Sequence, residues 1–254
     1  MFNHPNVGPF IAKQLIQKLV TSNPSPAYVQ RVAERFNNDG TGRRGNLEAV
    51  VRAILLDTEA RSAPSGANAG KVKEPLLRLT QFWRAYGARA ASGRYGVQAG
   101  NFPGGVSSIF GQGPGQSPSV FNFFSPFYAP PGEIANGNLV APELQLATEF
   151  LNTQVTNFFW TQAIARTTAQ TTLGADIMFI DTTAEQGLAA DSGALLDRVA
   201  EKLLGGAAQM SATLRAEARA QIDLTAAGTV AGNNTRVADA IYFVVTSPEF
   251  VLQR

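Results

Sequence analysis

"PSPAYVQRVAERFNNDGTGRRGNLEAVVRAILLDTEAR", residues 24–61, carries two helical patterns separated by a glycine-rich step. Val29, Val32 and Phe36 recur at helical spacing in the first, and Val50, Val51, Ile54 and Leu55 in the second. Ser25 followed by Pro26 suits an N-cap and a first helical position, and Asn46 suits the cap of the next helix. Working backward, Phe10, Ile11, Leu15, Ile16, Leu19 and Val20 give another amphipathic helix, which "TSNPSP" at 21–26 stops. Three helices with short joints predict an N-terminal unit over residues 1–61.

Working forward, residues 62–141 begin with the small-residue loop "SAPSGANAGKVKEP". A helix follows in "PLLRLTQFWRAYGAR", 75–89, with Leu76, Leu79, Phe82, Trp83 and Tyr86 on neighbouring faces. The stretch 88–142 is crowded with Gly, Pro, Ser and Asn, yet holds Tyr95, Phe102, Phe110, Phe121, Phe123, Phe124, Phe127 and Tyr128. A disordered linker would be poor in aromatics, so an ordered, irregular segment with its rings between helices is expected.

Residues 142–254 predict a C-terminal helical unit. It opens with one long helix over 142–168, followed by an ambiguous region in which 177–180 could be extended. Asp191 or Ser192 caps a helix that Gly205 and Gly206 end, Ser211 caps another, and "RVADAIYFVVTSPEFVLQR", 236–254, forms the last. Trp83 and Trp160 read as core. The fold class is thus mainly α: an irregular multi-helix bundle with a long Gly/Pro/aromatic-rich ordered loop segment, the three segments forming one domain. "LEAVVRAILLDTEAR" and "VADAIYFVVTSPEFVLQ" echo one another, each an apolar helix, a short polar step, then a Glu. Amphipathic helices produce such likeness easily.

With 254 residues and 44% hydrophobic content the chain can bury a sizeable core. Charged residues are only 16%, against roughly 25% in ordinary soluble domains. A net charge of +2, with Arg43-Arg44 the single basic dipeptide in view, does not suit nucleic acid. The absence of cysteine excludes disulfides, thiolate catalysis and Cys-ligated metals. One histidine, His4, leaves little from which to build a triad or a histidine metal centre. "MFNHPNVGPFIAKQLIQKL" does not read as a signal peptide, and no apolar run reaches the ~18–20 residues of a membrane span.

Candidate chemistry is sparse. Counted from Asn37, the loop "NNDGTGRRGNLE" places Asn37, Asp39, Thr41, Gly42 and Glu48 where a calcium loop wants its oxygen ligands, turn glycine and final carboxylate. Arg44, at a position normally apolar, and the adjacent Arg43 argue instead for a plain turn. In that reading Asn46 caps the next helix and Glu48 favours its dipole. No other cofactor is implied. His4 lacks a visible orienting acid or nucleophile. Phe121, Phe123, Phe124, Phe127 and Tyr128 either pack into the core or present rings to a protein partner or a carbohydrate. Asp39, Glu133, Glu143, Glu149, Asp176 and Asp181 are the acids from which a hydrolase would have to draw a convergent pair.

Several stretches resemble a known family: "HPNVGPFIAKQLIQKLVTSNPSPAYVQRVAERF", "RGNLEAVVRAILLDTEAR", "GKVKEPLLRLTQFWRAY", "QSPSVFNFFSPFYAPPGEI" followed by "LVAPELQLATE", and "VADAIYFVVTSPEFVLQR". They are similar, in order and over nearly the whole chain, to the C-terminal half of the bacterial family called domain of unknown function 1800. The resemblance implies a mostly helical, exported protein, found in the periplasm, at the cell surface or outside the cell. It also implies an N-terminal half, bearing the export signal, that lies upstream or on a separate chain. Members are often encoded beside domain of unknown function 1501 proteins, which resemble sulfatases and phosphatases. The resemblance supplies no catalytic residues. Two functions are therefore expected to compete. One is a non-catalytic module that binds a protein partner or copies of itself, the partner being that N-terminal half or a domain of unknown function 1501 protein. The other is a hydrolase of extracellular polysaccharide or of phosphate or sulfate esters.

Overall fold

Side-chain caps decide where the helices begin. Ser25 Oγ accepts the Tyr28 N–H at 3.1 Å with Pro26 in the first turn, and Asn46 Oδ1 accepts the Ala49 N–H at 3.4 Å. Asp191 takes the Gly193 and Ala194 N–H groups, and Ser211 takes that of Leu214. Short polar side chains stand at these positions because the first amides of a helix have no carbonyl behind them to bond. Gly205, at φ +85°, ends the Asp191-capped helix in the left-handed conformation that glycine adopts without strain.

The computed structural model describes residues 1–62, 70–94, 105–120, 122–165, 167 and 174–253. In chain order come α1 (Val7–Leu19), α2 (Pro26–Asn37), α3 (Leu47–Leu56), α4 (Thr58–Arg61), β1 (Lys71–Val72), α5 (Pro75–Ala85), α6 (Val106–Phe110) and α7 (Glu133–Asn136). Then follow α8 (Glu149–Phe158), α9 (Thr183–Gln186), α10 (Ser192–Leu204), α11 (Ala212–Ile222), α12 (Val230–Thr246), α13 (Pro248–Val251) and β2 (Leu252–Gln253). The protein is mainly α; β1 and β2 form a two-residue antiparallel pair, Lys71 opposite Gln253 and Val72 opposite Leu252. Among the described residues no helix is long and apolar enough to cross a membrane.

The chain forms two compact units, and residues 62–141 are shared between them. The first takes Met1–Val72, Phe124–Gln145 and Leu252–Arg254. Its core is Ala12 and Ile16 of α1, Tyr28, Val32, Ala33 and Phe36 of α2, and Val50 and Ile54 of α3. Tyr28 also donates its hydroxyl to the Ile54 carbonyl at 2.8 Å, so the largest buried ring satisfies its polar end. Phe10 and Leu55, placed on the apolar stripes by spacing, are exposed. Each lies one residue, about 100° around the helix, from the line that meets a neighbour.

The second unit takes Lys73–Phe123 and Leu146–Val251. Leu79 and Phe82 of α5 and Tyr86 at its C-cap pack in one cluster with Phe158 and Phe159, Leu195, Leu196 and Val199 of α10, and Val237, Ile241 and Val244 of α12. Phe82 meets Phe159 edge-on at 5.6 Å, and Phe110 meets Phe158 likewise at 5.2 Å.

Two expectations about elements change. The single long helix over 142–168 is a 3₁₀ turn (Pro142–Leu146), then α8, then a π-helix (Phe159–Ile164). Thr148 separates the first two, because its hydroxyl accepts the Leu151 N–H and starts a new helix. Residues 166 and 168 lie outside the described residues. The last long helix begins at Val230 rather than at Arg236, with Thr229 Oγ1 capping the Gly232 N–H. The region 177–180 contributes one antiparallel bridge, Phe179 with Arg89.

The echo between the two ends has a structural counterpart. After α3, Asp57 caps α4, and Glu59 accepts both the N–H (2.9 Å) and the hydroxyl (2.5 Å) of Ser25, the cap of α2. After α12, Ser247 bonds the Phe250 N–H of α13, and Glu249 accepts from both the hydroxyl and the N–H of Ser211, the cap of α11. The same device thus ties α4 to α2 in the first unit and α13 to α11 in the second.

Candidate functional site

The loop 37–48 closes on itself. Asp39 Oδ1 accepts from the Thr41 N–H (2.8 Å), the Thr41 hydroxyl (2.7 Å) and the Arg43 N–H (3.2 Å), and Oδ2 accepts from Asn46 Nδ2 (2.8 Å). The Asn46 and Thr41 bonds hold its carboxyl well below the usual carboxylate range. Asn38 Oδ1 takes the N–H groups of Gly40 and Gly42. Asn37 Oδ1 accepts from the Arg44 guanidinium, while Glu48 is exposed in the first turn of α3. Arg44 also donates to the carbonyls of Phe2 and His4 and lies over the rings of Phe2 and Phe36, so it fastens the start of the chain. Gly45, at φ +77°, is required there: an added Cβ would sit 2.5 Å from the Phe2 ring. His4 Nδ1 accepts the Asn6 N–H, a local turn contact before α1.

The aromatic segment divides. Phe121 lies outside the described residues, and Phe123 and Tyr128 are half-buried. Phe124 is buried and Phe127 is 65% exposed. Residues 124–127 follow α1 in reverse: Lys18 Nζ stands 3.7 Å from the Phe124 ring centre, Gln17 Nε2 donates to the Pro126 carbonyl, and Lys13 Nζ is 5.9 Å from the Phe127 ring. One turn beyond Lys13 on the same helix stands Phe10, 55% exposed. Two open phenyl rings and a lysine thus occupy the outer face of α1 and its neighbouring loop.

The candidate acids are spread over both units. Asp39, Glu133 and Glu143 belong to the first, Glu149, Asp176 and Asp181 to the second. Glu143 is buried against Lys71, and Asp181 bonds the Thr183 N–H, which lowers its carboxyl pKa. Glu133 and Glu149 are exposed in the first turns of α7 and α8. Among the described residues no group of three or more His, Asp or Glu side chains that could hold a metal comes together.

An acid that sequence reasoning passed over lies deepest. Glu185 of α9 is wholly buried, its Oε1 2.8 Å from Lys202 Nζ and 3.4 Å from Arg198 Nε, in ion pairs without hydrogen-bond alignment. Tyr86 lies under Lys202, 4.4 Å from ring centre to Nζ. Burial first, and the Glu185 charge second, push its phenol well up. The Glu185 ion pairs and the Tyr86 phenol are therefore parts of the core.

Trp160 is the second omission, and here the core reading is corrected: the ring is 42% exposed. The run Phe158-Phe159-Trp160 cannot place three neighbours, about 100° apart, on one helix face, and that was the available signal. The π turn then buries Phe159, Ala163 and Ile164 and leaves Trp160 at the rim. Trp160 stands edge-on to Tyr242 at 5.1 Å, over a cleft of about 260 Å³. Ile164, Thr182, Asn234, Thr235 and Ile241 are among its walls, and no Asp, Glu, Lys or Arg is among its described lining residues. Gln186 Nε2 bridges Asn234 Oδ1 (2.9 Å) and Thr182 Oγ1 (3.3 Å) behind it.

Fold and surface together define a mainly helical protein whose candidate acids are spread across two units, and whose exposed rings include Phe10 and Phe127 beside α1 and Trp160 over a cleft with no charged side chain among its described lining residues. The model of the family described as "Protein of unknown function (DUF1800)" matches residues 1–252, and the chain belongs to that family. No curated protein and no solved structure matches it.

Proposed function

We propose that the protein is a non-catalytic, exported helical module that binds a protein partner or a second copy of itself as part of a cell-surface assembly. One observation carries the reading: Phe10 and Phe127, each more than half exposed, flank Lys13 on the outer face of α1. Open aromatic rings are the composition of interface cores, where aromatics are enriched, and a lysine beside them suits the polar rim. Phe127 is presented by a segment tied to α1 at Gln17, so the surface is held in shape before binding and loses little entropy on association. The involvement of Glu143 and Glu185 in buried ion pairs gives these acids a structural task and weighs against the hydrolase.

The test is the mass of the natively isolated protein in solution, with and without a calcium chelator, compared between the natural chain and Phe10→Ser/Phe127→Ser. An assembly larger than one chain that survives chelation and dissociates in the double variant is expected. A monodisperse single chain with no companion overturns the reading.

A further inference from the structure

We infer that Lys73 is a covalent attachment site, an amine that forms an imine with a small carbonyl compound bearing a carboxylate next to its carbonyl. This concerns residues of the second unit alone and does not depend on the surface of α1.

The chain has five lysines, and their settings differ. Lys71 and Lys202 are committed to the buried acids Glu143 and Glu185, at 3.2 and 2.8 Å. Lys13 and Lys18 are exposed on α1. Lys73 is half-buried, and the charge that acts on it among the described residues is a cation, Arg78. Every Asp and Glu of the sequence is among the described residues, so no side-chain acid outside them can offset it. The two acids closest to it along the chain segments it touches are engaged: Glu74 accepts from Gln112 Nε2 at 2.8 Å, and Glu249 accepts from Ser211. The Lys73 backbone is pinned by its N–H bond to the Val251 carbonyl at 2.8 Å. Its Nζ stands 4.6 Å from the ring centre of the wholly buried Phe250. A ring face attracts an ammonium but does not solvate it as water does.

Arg78 of α5 is itself only 7% exposed. Its Nη2 donates to the Val245 carbonyl at 3.3 Å, and its buried Nε has no hydrogen-bond partner. Burial lowers the guanidinium pKa to about 10, with no acid opposing the shift. A fixed and incompletely bonded cation thus stands in the same partly desolvated region as the amine. Lys73 responds by releasing its proton more readily, at a pKa of about 8. At pH 7 its free-amine fraction is then roughly two-hundred-fold above that of a lysine near 10.4.

A free amine beside a guanidinium suits one class of electrophile. The Lys73 lone pair attacks the carbonyl carbon, forming the C–N bond while the C–O π pair moves to oxygen. One amine proton passes to that oxygen and the second leaves with it, so the products are a C=N bond and one water. Nothing is oxidised or reduced. A carboxylate on the adjacent carbon brings into this region the negative charge that Arg78 lacks, so an anionic carbonyl compound is favoured over a neutral one. Arg78 is the positioning residue.

Trapping on the whole protein at pH 7 with cyanoborohydride and either glyoxylate or acetaldehyde, followed by peptide mass mapping of each lysine, tests the inference. Glyoxylate is expected to convert Lys73 roughly tenfold faster than Lys13, the lower basicity of the nitrogen offsetting part of its larger free fraction. The glyoxylate-to-acetaldehyde rate ratio is expected to be about threefold higher at Lys73 than at Lys13, the order of a partly exposed charge pair. Comparing the two lysines cancels the intrinsic reactivity of the two carbonyls. In Arg78→Gln the ratio at Lys73 is expected to fall to that at Lys13. Should that variant fail to fold, the ratio in the natural chain decides. Conversion of Lys73 no faster than Lys13, equal ratios at the two lysines in the natural chain, or an unchanged ratio in folded Arg78→Gln would overturn it.

Discussion

Lys71 Nζ stands 3.2 Å from Glu143 Oε1, and each side chain is only 2% exposed. The same ammonium donates to the carbonyls of Gln17 (3.2 Å) and Lys18 (3.0 Å), in the last turn of α1. It therefore neutralises a carboxylate and the negative end of a helix together. Glu143 Oε2 has no hydrogen-bond partner, so the acid is held by charge more than by bonding.

Removing one member of such a pair leaves an uncompensated buried charge, at about 3–5 kcal/mol. Glu143→Gln is expected to destabilise the protein by that order in urea unfolding. Lys71→Met/Glu143→Leu, which removes both charges, is expected to cost less than the single change. Glu185→Gln should cost less than Glu143→Gln, because Lys202 and Arg198 keep side-chain exposures of 17% and 37% and can be hydrated when the acid is gone. A double variant as damaging as Glu143→Gln would show that the pair is a net stabiliser.

Lys73 gives a prediction for alkaline pH. Burial first, and the Arg78 charge second, lower its pKa to about 8, against about 10.4 in an unfolded chain. Between those values the unfolded state binds the extra proton, so stability rises with pH across the window and the gain is complete above about 10.4. Below about pH 8 both states carry the charge and the folded state bears the full cost. Lys73→Met removes the titration. The stability of the natural chain relative to this variant should therefore climb from pH 8 to pH 10, and a pH-independent difference would refute it.

At the loop 37–48, Asp39 is saturated by donors of its own loop. Ligands that bind only the native state raise Tm by a margin that grows with the logarithm of ligand concentration above Kd. Millimolar calcium is expected to leave Tm unchanged, while Asp39→Ala lowers Tm because the Thr41, Arg43 and Asn46 donors lose their acceptor. A calcium-dependent rise in Tm abolished by Asp39→Ala would restore the metal reading.

Ser25 and Ser211 occupy equivalent places in the two units, each capping its helix and feeding a glutamate from a later turn. Burial alone would raise the Glu249 carboxyl, but bonds from Ser211, from its own N–H and from Ser247 outweigh it and lower the pKa. Loss of a Ser cap costs about 0.5–2 kcal/mol. Ser25→Ala and Ser211→Ala should each fall in that range by chemical denaturation. Glu59→Gln added to Ser25→Ala should cost little more, since the hydroxyl bond is already lost and the glutamine carbonyl can still accept the N–H of residue 25.

Much of the helical order was legible because caps and apolar spacing are local. Ser25, Asn46, Asp191 and Ser211 announce their helices within four residues of sequence, and Val32, Phe36, Val50 and Ile54 announce the face that packs. The failures share a cause: they depend on partners distant in sequence. Nothing near Glu143 or Glu185 reveals the lysine that will bury each of them. The register change at Phe159–Ile164, which brings Trp160 out of the core, needs the whole second unit as its template. The candidate cleft was missed for the same reason, since Trp160, Thr182 and Asn234 meet only after folding. Phe127 and Phe124, near neighbours in one motif, take opposite roles: Lys18 lies over the buried Phe124 ring, while Phe127 stays open beside Lys13.

The pairing of β1 with β2 has a consequence for the order of events during synthesis. The helices α1–α3 are made well before β2 and can gather their own core. Yet Lys71 must wait for Glu143, and the β1 backbone waits until residues 252 and 253 are released. Closing so long a loop is slow, so the unit built on α1–α3 remains partly assembled until residues 252 and 253 have been made. Its proteolytic lifetime should therefore be governed from a segment remote in sequence, because a cut removing β2 takes away the partner of β1.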